Sequence, residues 1–239
     1  MRRLLRSLSA ALVMAGVVGS GTAWAQEEDL ASASAGGARF EITITNLTRD
    51  QTFTPVLVAS HRLGVRLFEL GQPATAQLVV LAEEGDVGPL MTLLQANPNV
   101  FDVTFTGPPP GGFVGPGQTR TIAVRTRGNF DHVSVAAMLI PTNDGFFALN
   151  SVEGPRNGQT RSFFSPAYDA GSERNDELCA SIPGPSFVEC GGPGGDGQPA
   201  GGEEGYVHIH AGIHGIGDFN ASQRDWRNPV ARIVIRRVR

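Results

Sequence analysis

The sequence predicts an all-β fold in which two antiparallel sheets pack face to face as a sandwich, with a short helical insertion. Two observations predict it. Apolar and polar residues alternate over short runs, which is the period of a strand with one buried face. These runs recur roughly every ten to fifteen residues. Turns rich in glycine and proline separate them, and the chain contains 31 glycines and 16 prolines. Together these features are typical of a sandwich.

The start of the chain has the order of a secretory signal peptide, predicted for residues 1–25. Three arginines precede an apolar run over residues 10–18, and small residues at 23–25 form a cleavage site. Residues 26–38 are small, polar and acidic and predict a disordered leader. Residues 39–239 then form one domain. Because no later stretch approaches the roughly 20 continuous apolar residues of a membrane span, we expect a secreted or periplasmic protein.

Eight segments carry the strand pattern. Pro55 restricts the second of them to a sheet edge or a bulge. The segment 132–140 is the longest apolar one and is expected at the centre of a sheet, with residues 143–145 as the hairpin turn to the next strand. The predicted strands cover residues 40–45, 53–59, 100–106, 119–126, 132–140, 146–152, 206–211 and 230–238.

Two short helices are predicted between the second and third strands. Residues 73–84 begin with a proline suited to a first helical turn and place apolar residues on one face, and residues 89–96 repeat that spacing. We expect the pair to cover one edge or end of a sheet. The acidic residues Glu83, Glu84 and Asp86 are interpreted as a solvated helix end.

Composition and motifs exclude several classes of function. The chain has no lysine, and its formal net charge of −4 becomes about −7 once the three signal-peptide arginines are removed. No basic cluster alternates with aromatic residues, so we expect no nucleic-acid partner. The sequence lacks a G-x-S-x-G elbow, a P-loop lysine and an H-E-x-x-H helix. No catalytic residue is predicted.

The only two cysteines, Cys179 and Cys190, lie in a segment rich in glycine and proline. An even pair in an exported chain predicts one disulfide. Closing so short a loop stabilises the fold by roughly 2–3 kcal/mol in the loop-entropy description. The alternative, a thiolate metal site, lacks the usual C-x-x-C spacing.

Acidic residues mark two separated loops. Asp144 lies in the predicted hairpin turn, and Asp169 and Glu173 lie in a segment from 165 to 205 without strand or helix periodicity. A loop of that length usually indicates function or disorder. Carboxylates meeting at one end of a sandwich would repel unless a cation such as calcium neutralised them. The alternative is that Asp144 makes an Asx turn and the others cap local backbone.

Histidines form a second candidate site. His208 and His210 share one face of a predicted strand, and His214 follows, so the three could bind one zinc or copper ion, as in small zinc enzymes. The run HIHAGIHGIGDF also resembles the H-x-H strand of copper/zinc superoxide dismutases. That site needs more histidines than the five in this chain. The competing interpretation is that these are partly buried strand histidines.

Four segments of the sequence together resemble the spondin N-terminal domain family, which includes the domain of F-spondin and mindin, in its bacterial form. They are ITNLT, SVAAMLIPTNDGFFALNSV, SPAYDAGSERNDE and WRNPVARIVIRRV. The resemblance covers about Arg39 to Val238. It implies a C2-like antiparallel β-sandwich with one calcium ion bound at one end.

The resemblance also implies which residues bind Ca²⁺ and what the domain does. The matching positions are Asp144, Asp169 and Glu173, the last being one carbon longer than the aspartate of animal members; Asp176 lies close by, but no motif assigns it. The implied function is a non-enzymatic interaction or adhesion module. Its partner would be a cell-surface, matrix or envelope component, and we expect a monomer.

Overall fold

The structure, a computed structural model, describes residues 37–195 and 202–239. The predicted signal peptide lies outside the described residues, as does most of the predicted leader. The strands are β1 (Arg39–Asn46), β2 (Thr52–Phe53), β3 (Leu57–His61), β4 (Val100–Phe105), β5 (Thr119–Arg125), β6 (His132–Ile140), β7 (Gly145–Glu153), β8 (Thr160–Ser165), β9 (Ala167–Asp169), β10 (Ser186–Phe187), β11 (Gly192–Pro193), β12 (His208–Ile209) and β13 (Ala231–Val238). The helices are α1 (Ala76–Glu84), α2 (Gly88–Gln95) and α3 (Ala221–Arg224).

The smaller main sheet has four antiparallel strands in the order β5-β1-β13-β8. Along β1 the apolar residues Phe40, Ile42 and Ile44 are fully buried, and the polar residues between them are not. Ile233 and Ile235 of β13 repeat this pattern. Their shared core with the larger sheet is the sandwich interior that the alternation predicts.

The larger sheet has the strand order β12-β9-β7-β6-β3-β4, and β2 also pairs with β6. β6 is central, as predicted, and all but its first residue are buried. Val133 and Val135 belong to the core between the sheets, whereas Ala136 packs in a second apolar cluster. The strand is continuously apolar from Val135 to Ile140 because both faces of the sheet are covered there.

The two longer helices cover the outer face of the larger sheet. Leu78 and Leu81 of α1 and Leu90 of α2 share a buried cluster with Leu57 of β3 and Phe146 of β7. The prediction that they cover an edge or end is therefore wrong. Strands β3, β6 and β7 carry apolar side chains on both faces of the sheet. The side chains on the outer face are buried only if another layer packs over them. Among the described residues, no helix combines the length and apolar character needed to cross a membrane.

Strands β8 and β9 are absent from the sequence prediction, although they carry the chain from one sheet to the other. β8 pairs with β13 in the smaller sheet, and after Pro166 the chain enters β9, which pairs with β7 in the larger sheet. β8 is an edge strand whose first three residues are exposed, so it shows no apolar alternation. This crossing delivers Asp169 to the end of the larger sheet.

Candidate metal centre

The structure places the three predicted carboxylates at one end of the sandwich, although their ligand atoms do not all lie within 4.8 Å of one another among the described residues. In the antiparallel β7–β9 pair, Gly145 lies opposite Asp169, which places Asp144 beside it. The loop after β9 then turns back, so that the backbone N–H groups of Ser172 and Glu173 donate to Asp144 Oδ2 at 2.7 and 3.1 Å. Residues 25 and more positions apart in sequence thus share one site because of strand register.

The hairpin turn does not depend on the Asp144 carboxylate. The hydroxyl of Thr142 accepts a hydrogen bond from Gly145 N at 3.0 Å and donates to the carbonyl of Leu139. The Asx-turn alternative is therefore wrong for Asp144, whereas Asp169 does cap local backbone by accepting from Gly171 N. A side chain at position 145 would collide with Thr142 and with the ring of His210. The turn is closed by threonine and glycine, which leaves the aspartate directed at the other loop.

Asp144 is fully buried, and only one of its oxygens is satisfied by the protein. Oδ2 accepts from Ser172 and Glu173, whereas Oδ1 has no hydrogen-bond partner among the described residues. Burial, followed by the charge of Asp169, raises the pKa of Asp144 to about 7. A carboxylate in this position needs either a proton or a cation.

Glu173 is also a buried carboxylate with unsatisfied oxygens. Its side chain is buried, and neither carboxylate oxygen finds a hydrogen-bond partner within residues 37–195 and 202–239. Burial, followed by the charges of Glu83 and Asp144, raises the pKa of Glu173 to about 8. The site therefore contains three buried acceptor oxygens without a hydrogen-bond partner in the described part of the chain, two on Glu173 and one on Asp144.

Asp169 lies between the carboxylates and the histidines. Its Oδ1 accepts from Gly171 N at 2.8 Å, and its Oδ2 accepts from the amide of Asn175 at 2.7 Å. Its oxygens also face His208 Nε2 at 3.5 Å and His210 Nε2 at 3.9 Å. Because each carboxylate oxygen has a second lone pair, Asp169 can still act as a ligand while these bonds hold its loop.

Two other acidic residues in this loop fasten the backbone. Asp176 accepts from the amide of Asn143 at 3.0 Å and from the hydroxyl of Ser181 at 2.8 Å. Glu177 is buried, and its carboxylate accepts from three consecutive backbone N–H groups, those of residues 214–216. These bonds tie the acidic loop to the hairpin turn and to the segment after the histidines.

Glu83 was not recognised as a site residue from the sequence, and its interpretation as a solvated helix end is wrong. It is half-buried at the end of α1, where burial raises its pKa, and its charge contributes to the raised pKa of Glu173. No local signal could have identified it, because its position depends on α1 lying across the outer face of the larger sheet.

The structure brings together two of the three predicted histidine ligands. His208 and His210 both face Asp169, whereas the His214 side chain is 55% exposed and lies 3.8 Å from Glu177. No group of the three imidazoles has ligand atoms within 4.8 Å of one another among the residues that the structure describes. The three-histidine centre is therefore not assembled.

The predicted disulfide between Cys179 and Cys190 is present. Its segment is held against the rest of the domain by a hydrogen bond from Cys179 N to Asp218 Oδ2 at 2.8 Å. An ion pair between Glu189 and Arg224 at 2.7 Å adds a second contact. The disulfide thus follows the acidic loop directly and restrains its far end.

Comparison with known proteins identifies part of this architecture. The family model described as Spondin_N matches residues 45–171, more than half of the chain. The match includes Asp144 and Asp169 and ends two residues before Glu173. His208, His210, His214 and the disulfide also lie outside it. A search of curated proteins gives no match.

Proposed function

Because the chain belongs to the spondin N-terminal domain family, we propose that it is an exported adhesion module whose end loops are held by one calcium ion. Domains of this family are extracellular and generally non-catalytic interaction modules. The disulfide between Cys179 and Cys190 is consistent with a secreted protein, since such bonds persist in oxidising compartments.

The observation that carries the calcium proposal is the set of unsatisfied buried oxygens beside Asp169. Asp144 Oδ1 and both oxygens of Glu173 are buried without a hydrogen-bond partner in the described part of the chain. Native proteins satisfy nearly all of their buried polar atoms. Three exceptions in two neighbouring acidic residues therefore support a cation as the missing partner. Asp144, Asp169 and Glu173 would hold it.

The donor set fits calcium better than other common ions. The three residues offer only oxygens, from a turn, a strand end and a loop, and calcium accepts about six to eight oxygens in flexible geometry. Magnesium needs near-ideal octahedral geometry, and zinc prefers nitrogen or sulfur donors. Backbone carbonyls and water would complete the calcium shell. The bound ion would supply positive charge that neutralises the buried carboxylates.

The proposed role of calcium is to fix the end surface of the sandwich. Asp144 already accepts two backbone hydrogen bonds from the loop after β9. Without a cation, the ionised forms of Asp144, Asp169 and Glu173 repel one another and drive this loop from the hairpin turn. With the ion bound, the turn and the loop form one rigid surface, which lowers the entropic cost of binding a partner.

Exposed apolar side chains in the later loops support an interaction role. Of the ten large apolar residues that are exposed in the described ranges, five lie between positions 178 and 216. Apolar groups exposed together are typical of interaction sites. They are Leu178, Val188, Tyr206, Ile209 and Ile216. We propose that these loops contact a cell-surface, matrix or envelope component.

Calcium titration of the chelator-treated, disulfide-bonded chain tests the proposal. We expect one calcium ion per chain, with a dissociation constant of about 10⁻⁴–10⁻³ M, the range of extracellular modules. The variant Glu173→Gln keeps the size of the side chain but removes its charge, and should weaken binding at least about tenfold. The matched control is Glu84→Gln, because Glu84 is an exposed glutamate at the end of α1.

Calorimetry and thermal melts with calcium or chelator measure the effect. A chain that binds no calcium, or a Glu173→Gln variant that binds as well as the Glu84→Gln control, contradicts the calcium proposal. Retention on immobilised cell-envelope or matrix material, compared in calcium and chelator, tests the interaction role. Equal retention of the natural chain and Glu173→Gln in calcium would contradict the proposed role of the ion.

A further inference from the structure

On the side of Asp169 away from the calcium site, a histidine faces two carboxylates. His208 Nε2 lies 3.5 Å from Asp169 Oδ1 and 4.0 Å from Glu204 Oε2. One ligand atom from each of the three residues lies within 4.8 Å of the other two. The three residues do not share one sequence motif, and Glu204 is outside the set predicted from the sequence.

Two backbone contacts bring these residues together. In the β9–β12 pair His208 lies directly opposite Asp169. Gly171 has a φ of 66°, and Gly205 N donates to its carbonyl at 2.8 Å. A side chain at position 171 would collide with the backbone of Tyr206. The close approach that glycine permits therefore positions Glu204 beside the end of β9.

The hydrogen bond at the other ring nitrogen determines the tautomer of His208. Its Nδ1 lies 3.1 Å from the carbonyl of Ile209. A carbonyl only accepts, so Nδ1 carries the proton and the neutral ring has a lone pair on Nε2. This lone pair faces two carboxylates, an arrangement that is repulsive unless a cation lies between them. Metal-binding histidines usually donate their second N–H in this way, often to a backbone carbonyl.

His210 also faces the carboxylate of Asp169, from a second position. Its side chain is 2% exposed, and its Nε2 is 3.9 Å from Asp169 Oδ2; this nitrogen has no hydrogen-bond partner in the described ranges. Nδ1 accepts from Gly212 N at 3.0 Å, so the Nε2 atom carries the proton and points it at Asp169. Trp226 packs against the ring at 5.0 Å between centroids. His210 is therefore a positioning residue for Asp169 and not a ligand.

We propose that Asp169 Oδ1, Glu204 Oε2 and His208 Nε2 bind a second divalent ion, of the zinc class. In a tetrahedral zinc site, bonds of about 2.0–2.2 Å place neighbouring ligand atoms roughly 3.3–3.5 Å apart. The 3.5 Å between His208 and Asp169 fits this geometry. Glu204 is 4.0 Å away and must close slightly, which its partly exposed side chain allows. The imidazole favours zinc over calcium.

Cobalt(II) provides a spectroscopic probe of this site, because four-coordinate cobalt has visible d–d absorption that calcium lacks. The chelator-treated, disulfide-bonded chain is titrated with Co²⁺ in excess calcium at neutral pH. We expect one equivalent of Co²⁺ to produce the absorption of a four-coordinate site, and Zn²⁺ to displace it. Absence of such bands, together with absence of zinc binding by calorimetry, overturns the proposal.

Substitutions distinguish the proposed ligands of the zinc-class ion from other histidines of the chain. His208→Ala and Glu204→Gln should each weaken Co²⁺ binding at least about tenfold, a loss typical of altered metal sites. His214→Ala and His132→Ala are the matched controls, since His214 faces Glu177 and His132 bonds to Asp131 at the start of β6. Equal losses in a control and in His208→Ala would overturn the assignment. Glu204 is partly exposed, so Glu204→Gln keeps the test valid if His208→Ala fails to fold.

The zinc and calcium proposals fail independently. His208→Ala removes only a zinc-class ligand and should still bind calcium, whereas Glu173→Gln should lose calcium and retain the cobalt spectrum. A chain that binds calcium without cobalt overturns only the second site. A chain that binds cobalt without calcium contradicts only the proposed function.

Discussion

The buried histidines at the two ends of β6 differ in whether their ring nitrogens are hydrogen-bonded. Near the start of the strand, His61 is fully buried, and both ring nitrogens are satisfied, by Ser134 Oγ and by the carbonyl of Arg62, each at 2.9 Å. Beyond its other end, buried His210 has an unpartnered Nε2 within the described residues. Burial lowers the pKa of both imidazoles. Of these two imidazoles, only that of His210 has a ring nitrogen without a hydrogen-bond partner among the described residues.

The unsatisfied atoms are concentrated in one place. Eight buried side-chain atoms in the described ranges lack a hydrogen-bond partner, and five of them belong to residues of the candidate centre. They come from Asp144, Glu173, His208 and His210. Both ring nitrogens of His61 are satisfied by the protein. An incomplete cluster is expected where another species belongs to the site, and the metal proposals rest on this expectation.

Asp169→Ala should produce the largest effect, because Asp169 is shared by both proposed metals. At a calcium concentration about 100 times the dissociation constant, bound calcium stabilises the fold by roughly 2.7 kcal/mol. For a domain of this size that corresponds to roughly 5–11 °C in Tm. The variant should lose this calcium-dependent rise and the cobalt spectrum, while melting close to the natural chain in chelator.

Asp131→Ala is the control for this comparison, since Asp131 contacts His132 at the far end of β6. Its calcium-dependent rise in Tm should equal that of the natural chain. Thermal melts in calcium and in chelator measure both variants. If Asp169→Ala lowers Tm by the same amount with and without calcium, Asp169 is not a calcium ligand.

His61→Gln should lower the stability of the fold, whereas His210→Gln should weaken metal binding. His61→Gln disrupts a complete buried network and should destabilise the fold by about 1–3 kcal/mol, with or without metal. His210→Gln disturbs the orientation of Asp169 and should weaken Co²⁺ binding by about 10–100-fold. Denaturant unfolding and cobalt titration of both variants measure this. If His61→Gln weakened cobalt binding as much as His210→Gln, the two ends would not be functionally different.

The pH dependence of stability should vanish in calcium. In the metal-free protein the pKa of Asp144 is raised to about 7 from 3.8, and that of Glu173 to about 8 from 4.5. Between these limits the folded chain binds more protons than the unfolded chain, so the free energy of unfolding falls as pH rises from about 5 to 8. Saturating calcium replaces those protons and should flatten the slope.

Thermal melts across this pH range in chelator and in calcium measure the difference. Glu173→Gln removes one of the two titrating groups and should therefore reduce the slope in chelator. A metal-free chain that became more stable as pH rose from 5 to 8 would show that these carboxyls are ionised in the fold by some other partner.

The sandwich could be predicted from sequence wherever burial follows the period of the strand. β1, β6 and β13 are half-buried or fully buried along their length, so apolar spacing indicated them directly. β8 was not predicted because its exposed residues leave no periodic signal. Helices α1 and α2 were predicted, but α3 was not. The face that α1 and α2 cover was also missed, because the packing of one layer on another is not a local property of either sequence.

For the candidate centre, the sequence indicated that acidic residues and histidines would form it, and it predicted the turn that contains Asp144. The resemblance to a known family then singled out Asp169 and Glu173. The partners of Asp169 were decided only in the tertiary structure. Glu83 reaches the site because a helix crosses the sheet, and Glu204 reaches it through the contact between Gly171 and Gly205.

The same division holds for the histidines. Strand periodicity placed His208 and His210 on one face, but it could not show that Asp169 would lie opposite them or that His214 would be held toward Glu177. Alternation is a property of neighbouring residues along the chain, and the sequence contains it directly. Which distant carboxylate meets which imidazole depends on strand register and on the crossing between sheets. Both are fixed only when the whole core packs.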